Sequence, residues 1–194
     1  MKKEPVTIDR SALLQEALAL MEERSIRHLP VVEGDQLVGF ITQNDLRQFF
    51  FPSAIEDIRV HQAMVLNPLT VNVNASIEHA AKLIHDFKIG GLPVLDRKKL
   101  VGIITASDIL YAFIEVMGLL KSSVRIDVIA APDGDVEDLV RIVRQQGCEI
   151  ISVATESHSS RKKVHYFRLA SSCEIEPVVA ALEKAGHKVV SVME

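Results

Sequence analysis

The sequence predicts a chain of mixed helix and strand, α+β and α/β in class, built from two tandem βαββα units followed by a separate βαββαβ layer. Two observations carry that reading. With an offset of 63 residues, positions 5–47 lie on positions 68–110 without a gap, and about 15 of roughly 43 pairs are identical, far above chance for unrelated segments. After about Leu120 the repeat stops, and short β-branched runs alternate with helical apolar stripes in a new order. The expected organisation is residues 1–57 for the first copy, 58–120 for the second and 121–194 for the final layer.

Each copy opens on a short extended stretch, around Val6, Thr7 and Ile8 in the first. Leu14, Ala17, Leu18 and Met21 then recur at helical spacing, as Ile77, Ala80, Ala81 and Ile84 do in the second copy, giving one apolar stripe per helix. Two short apolar runs follow, LPVV then LVGFIT, separated by the turn-forming Glu33, Gly34 and Asp35; the second copy has LPVL and LVGIIT. These are strands. Asn44 and Asp45 after Thr42, and Ser107 and Asp108 after Thr105, then act as cap and first-turn residues for helices that begin at Leu46 and Ile109. One such unit has too little apolar surface to stand alone, whereas a tandem pair can cover both sheet faces.

In the last seventy residues VRIDVIAA is a strand, PDGD a turn, and Val136, Leu139, Val140 and Val143 mark a helix. EIISVATE, VHYFRLA and HKVVSVM are further strands, and Ile175, Val178, Val179 and Leu182 mark a second helix. The order is that of a split βαβ, ferredoxin-like layer. Its polar hairpin tip, with Arg161, Lys162 and Lys163, reads as a solvated end.

Composition bounds the function. Apolar residues make up 48% of the 194, charged residues 25% and aromatic residues 5%, with no Trp and a net charge of -4, which suits folded domains rather than a disordered chain. Lys and Arg number 12 against 15 Asp and Glu up to Leu120, and 10 against 11 after it, so no basic half tracks a phosphate backbone and no nucleic-acid partner is expected. MKKEPVTIDR has no apolar core behind its lysines and does not read as a signal peptide. The longest apolar stretch, 109–120, is broken by Glu115 and falls short of the roughly 20 residues a membrane helix requires. A soluble, cytoplasmic protein without a membrane partner is expected. Cys148 and Cys173 form no close pair to hold zinc and read as reduced packing residues. The histidines at 28, 61, 79, 85, 158, 165 and 187 show no ligand pairing, and there is neither a P-loop nor a nucleophile elbow. No catalytic residue, no metal and no enzyme activity is expected.

The order of helix, h-P-V, G-h-I-T and a closing Asp, repeated over residues 1–120, resembles the CBS domain, and two in tandem resemble a CBS pair, or Bateman module. One departure stands out: VHQAMVLNP precedes the second copy as the family's lead-in, whereas only four residues precede Pro5, so the lead-in to the first copy reads as missing. An Asp near a helix start can accept two hydrogen bonds from a ribose diol, while the Thr before it and the free helix N–H groups face a phosphate. The resemblance implies the same, with AMP, ADP, ATP or S-adenosylmethionine in two related clefts and no required cofactor. Carried over by position, the first copy offers Thr42, Asn44 and Asp45, with Thr7, Ile8, Ile26, Arg27, His28 and Leu29 around them. The second offers Thr105, Ser107 and Asp108, with Thr70, Val71, Ile89, Gly90, Gly91 and Leu92. Against this, Thr, Asn, Ser and Asp at a helix start are also ordinary caps worth about 1 kcal/mol each.

The C-terminal strand, PDGD turn and helix ending in GCEIISV resemble the ACT domain, a small regulatory fold. The resemblance implies amino-acid binding at Asp133, Gly134, Asp135 and Val136, where a helix N-terminus would meet the carboxylate. A CBS pair followed by an ACT-like domain is similar to acetoin-utilisation-type regulatory proteins. The expected function is a regulatory sensor of an adenosine-type small molecule that forms a homodimer and signals to its ACT-like domain or to a regulated enzyme or transporter. Phe49, Phe50, Phe51 and the apolar run after Ile109 are candidate interface surface, and equally candidate core. Two other readings stand: an unliganded dimerisation scaffold, and an amino-acid sensor acting through the ACT-like part.

Overall fold

The computed structural model describes residues 1–47, 58–157 and 163–193. They belong to two compact units, Met1–Leu110 and Tyr111–Glu194. Phe49, Phe50, Phe51, Arg161 and Lys162 lie outside the described residues.

In the first unit the duplication is visible element by element. β1 (Lys2–Lys3), β2 (Ile8–Asp9), α1 (Leu14–Glu23), β3 (His28–Glu33), β4 (Gln36–Thr42) and α2 (Gln43–Arg47) come from the first copy. β5 (Val65–Leu66), β6 (Val71–Asn72), α3 (Ile77–Phe87), β7 (Gly91–Asp96), β8 (Lys99–Thr105) and α4 (Ala106–Val116), preceded by a single 3₁₀ turn (Val60–Gln62), come from the second. α1 buries Leu14, Ala17 and Met21, the i, i+3, i+7 stripe of an amphipathic helix, and Glu16 Oε2 accepts from the Leu13 N–H at 2.7 Å to close its first turn. α3 starts on Ser76, whose hydroxyl accepts from His79 N, and stops at Lys88 in a left-handed conformation. One cluster gathers Leu14, Met21, Leu29, Ile41 and Leu46; a smaller one holds Val71, Ala80, Leu92, Val94 and Ile104. Leu14, Met21 and Ile41 are at most 1% exposed, and burying each contributes about 1.5–3 kcal/mol.

The sheets run β2-β3-β4-β5 and β1-β8-β7-β6, so each copy completes its sheet with a strand from the other's lead-in. Val65 pairs Phe40 and Leu66 pairs Gly39; at the 63-residue offset, Lys2 pairs Ile103 and Lys3 pairs Gly102 in the same register. Of the lead-in, the first copy has the strand equivalent to β5. The few residues before Pro5 are enough to form the exchanged strand, because that strand is only two residues long. Met64, buried at 8% exposed, packs its thioether where a side chain on Gly39 would stand, which explains a glycine inside β4.

The second unit consists of β9 (Ser123–Ile129), α5 (Val136–Gln145), β10 (Ile150–Ser157), β11 (Lys163–Ala170), α6 (Ile175–Lys184) and β12 (Lys188–Met193). The sheet order β10-β11-β9-β12, with all three pairings antiparallel, is the split βαβ arrangement. Strand alternation sends Ile126, Val128, Phe167 and Leu169 into one core with Leu139, Val143, Val178 and Leu182 from the helices. Asp127, on the opposite face, is only 7% exposed, held by Arg125 Nε and Nη2 at 2.7 and 3.0 Å and by the Ser191 hydroxyl at 2.8 Å. That bidentate pairing raises the Arg125 pKa, and its guanidinium also lies 4.4 Å above the Tyr166 ring.

Cys148 and Cys173 are not reduced packing residues. They form a disulfide with Cα atoms 5.0 Å apart, joining the chain after α5 to the turn before α6. The 25-residue separation hid a proximity created by the two helices packing side by side.

Candidate functional site

A cleft of about 770 Å³ lies within the first unit and takes its walls from both copies. The site residues on it are Ile26, Arg27, His28, Thr42, Asn44 and Asp45 from the first, and Ile89, Gly90, Gly91, Thr105, Ser107 and Asp108 from the second. Thr7, Ile8, Leu29, Thr70, Val71 and Leu92 do not line it. Leu29 and Leu92 are fully buried core residues, because a strand that turns residue 28 or 91 toward the cleft turns the next side chain away. Ile8 and Val71 are likewise core, at 7% and 6% exposed. Their places on the wall go to Pro68 and Leu69. The cleft also contains Arg47 and Lys88, whose offset partners Leu110 and Ser25 are uncharged, so a search by symmetry for cations passes over them.

The two Thr–Asp pairs have the same geometry. Thr42 Oγ1 donates to Asp45 Oδ2 at 2.7 Å, the Thr42 N–H donates to the same oxygen at 2.8 Å, and the Asp45 N–H donates to Thr42 Oγ1 at 3.3 Å. The corresponding distances for Thr105 and Asp108 are 2.7, 2.9 and 3.3 Å. Each is a reciprocal capping box, so the helices begin right after Thr42 and Thr105, three residues earlier than Leu46 and Ile109. In each pair the Thr hydroxyl donates to the carboxylate and so orients the Asp. Asp45 and Asp108 are each half-buried, and Oδ2 is spent in the cap. Among the described residues, the one ion pair of Asp108 Oδ1 is with the Met1 amino group at 4.0 Å, a partly exposed contact worth little. Each pair thus holds a carboxylate with one oxygen still able to accept.

His28 lines the cleft from β3. Burial holds its imidazole below the ordinary range, helped by the charge of Arg27 and opposed by Asp45. Its ring stacks near Phe40, with centroids 5.9 Å apart.

The family model of the CBS domain matches residues 1–51 and 55–115. The chain belongs to the CBS domain family. It is 39% identical over 130 residues to a CBS domain-containing protein of Dictyostelium discoideum, covering 60% of this chain and 90% of that one. A solved structure of a putative acetoin utilization protein (AcuB) from Vibrio cholerae is 33% identical with a TM-score of 0.55, over 62% of this chain and 90% of the other. CBSX2, solved in complex with AMP, is 28% identical with a TM-score of 0.55, over 60% and 93%. The chain also matches an inosine-5'-monophosphate dehydrogenase of Thermoplasma acidophilum at 37% identity, but spans only 21% of it. What it shares with that larger enzyme is the CBS region. Among the described residues no cluster of His, Cys, Asp and Glu suits a metal, and no helix is long and apolar enough to cross a membrane.

Outside the CBS pair, the turn at Asp133, Gly134, Asp135 and Val136 is capped from within the chain. The Asp135 carboxylate accepts from the Glu137 and Asp138 N–H groups at 2.9 and 3.0 Å, the amides a ligand carboxylate would need. Gly134 is explained by packing. A β-carbon there would lie 2.8 Å from Cε1 of His187, which is 7% exposed and accepts from the Ala131 N–H at 3.1 Å.

Proposed function

We propose that the chain is a ligand-sensing regulatory protein whose CBS pair takes up an adenosine nucleotide or derivative: AMP, ADP, ATP or S-adenosylmethionine. The observation that carries this reading is the duplicated Thr–Asp pair, which presents an oriented carboxylate oxygen in a cleft with aliphatic walls and nearby cations. A ribose diol donates to Oδ1 of the Asp, adenine lies against Ile26, Ile89 and backbone, and an anionic group meets Arg27, His28, Arg47 or Lys88. CBSX2 with AMP, and the CBS pair of protein MJ0100 with 5'-methylthioadenosine and S-adenosyl-L-methionine at 28% identity and a TM-score of 0.52, support that ligand class. Binding signals only through differential affinity for two arrangements of the module, read by a regulated enzyme or transporter or by the C-terminal unit.

Homodimerisation is part of the proposal. It is supported by α4, which buries none of its residues and exposes Leu110, Tyr111, Phe113 and Val116. The same face favours the second reading, a dimerisation scaffold in which the Thr–Asp pairs are helix caps and nothing more. The ACT-like reading of the C-terminal unit rests on its strand order, and the occupied Asp135 cap weighs against an amino-acid site there. A cytoplasmic location belongs to the proposal, although the disulfide is a feature more common in oxidising compartments. Thermal shift with the four adenosine compounds separates the main readings. At 100 times its dissociation constant a ligand adds about 2.7 kcal/mol, which moves the midpoint by several degrees. No shift with any of them leaves the scaffold.

A further inference from the structure

The 63-residue offset pairs the walls of the cleft, and the halves differ most in bulk at residues 28 and 91. Residues 28 and 91 are equivalent: His28 pairs with Thr42 across β3 and β4, and Gly91 pairs with Thr105 across β7 and β8. From its place beside Thr42 the His28 ring crosses to the other copy. One face lies near Phe40, with planes 24° apart, and Nε2 occupies the space that a β-carbon on Gly90 would take. The equivalent residue, Gly91, brings no side chain across in the reverse direction. Even a β-carbon there would meet Ile104 O and Thr105 Cγ2 at 3.1 and 3.2 Å. The counterpart of Phe40 is Ile103, and the counterpart of Gly90, the residue under the imidazole, is Arg27. The half of the cleft with Thr42 and Asp45 therefore carries an imidazole that reaches Gly90. At the equivalent place the half with Thr105 and Asp108 has a glycine, and Arg27 is among the residues that line the cleft. The cleft volume of about 770 Å³ falls in the range of sites that hold one small ligand.

We propose that His28 makes the cleft a single-occupancy site, in which one adenosine-type ligand per chain sits on the Thr105–Asp108 side with its anionic group toward Arg27. This rests on the nucleotide reading above. The burial that disfavours the charged form of His28 suits a ring packed as a wall against Phe40. The Met1 amino group near Asp108 Oδ1 is a weak, partly exposed contact that a diol displaces.

Isothermal titration of the full chain with AMP, ADP, ATP and S-adenosylmethionine tests this. The expected result is one site per chain for whichever compound binds. Asp108→Ala weakens it by at least about tenfold and leaves no second site of the original affinity. His28→Gly, which copies the residue at position 91, raises the stoichiometry to two. Two sites in the unaltered chain, a surviving full-affinity site in Asp108→Ala, or a folded His28→Gly protein that still binds once would each overturn single occupancy and leave the nucleotide reading standing. If none of the four compounds binds, the nucleotide reading itself is lost and the inference falls with it.

Discussion

Replacing Thr105 by Val isolates what the Thr–Asp pair contributes before any ligand is added. The substitution keeps the side-chain volume nearly constant and deletes the 2.7 Å donor to Asp108 Oδ2 together with the 3.3 Å acceptor for the Asp108 N–H. The Thr105 N–H at 2.9 Å remains. A hydrogen bond to a charged group contributes about 1.5–3 kcal/mol, and half-exposure places this one at the lower end, so the loss comes to about 1–2 kcal/mol. Thr42→Val should cost the same within about 0.5 kcal/mol, because its distances match to 0.1 Å. Urea unfolding of the full chain, followed by circular dichroism through the transition of the CBS pair, measures both. A change of only a few tenths of a kcal/mol in either variant would refute the capping-box account, and with it the argument that the Thr orients the Asp.

Three further outcomes follow from particular contacts. Reducing the Cys148–Cys173 disulfide, or replacing both residues by Ser, should destabilise the C-terminal unit by about 3 kcal/mol for a 25-residue loop, and thiol titration of the unreduced chain in denaturant should find no free thiol; two titratable thiols would contradict the bond. Gly134→Ala forces a β-carbon against the buried His187 ring and should cost about 1–3 kcal/mol in unfolding experiments without any amino acid present, whereas a neutral effect would return the turn to the ligand-binding reading. His28 has a folded pKa below its ordinary 6.5, so the unfolded chain holds more protons between the two values and stability falls as pH drops below about 6.5; His28→Gln should flatten that fall, and an unchanged pH profile would mean that His28 is not its source.

Much of this molecule is legible in its sequence because the duplication is. An ungapped offset fixes the order of elements, and the Thr, Asp, Gly and Pro positions that recur at that offset reappear in the structure at equivalent registers, down to Gly39 and Gly102 beneath the exchanged strands. Strand alternation, applied more strictly, would have removed Leu29 and Leu92 from the site, since adjacent residues of a strand cannot face the same side. Other features depend on tertiary approach and leave no local trace. The disulfide joins residues brought together by two packed helices, and the strand Lys2–Lys3 is only two residues long, too short to carry an apolar pattern. Arg47 and Lys88 enter the cleft from positions whose counterparts are uncharged, so chain symmetry, the strongest signal available, points away from them.

A crystal structure of the chain grown with AMP or S-adenosylmethionine tests the central claim most directly. The account predicts density for one ligand in the CBS cleft, with its ribose hydroxyls on Oδ1 of Asp108 and the Thr105 bond to Oδ2 intact. A ligand bound elsewhere, or a cleft left empty at saturating concentration, would contradict it.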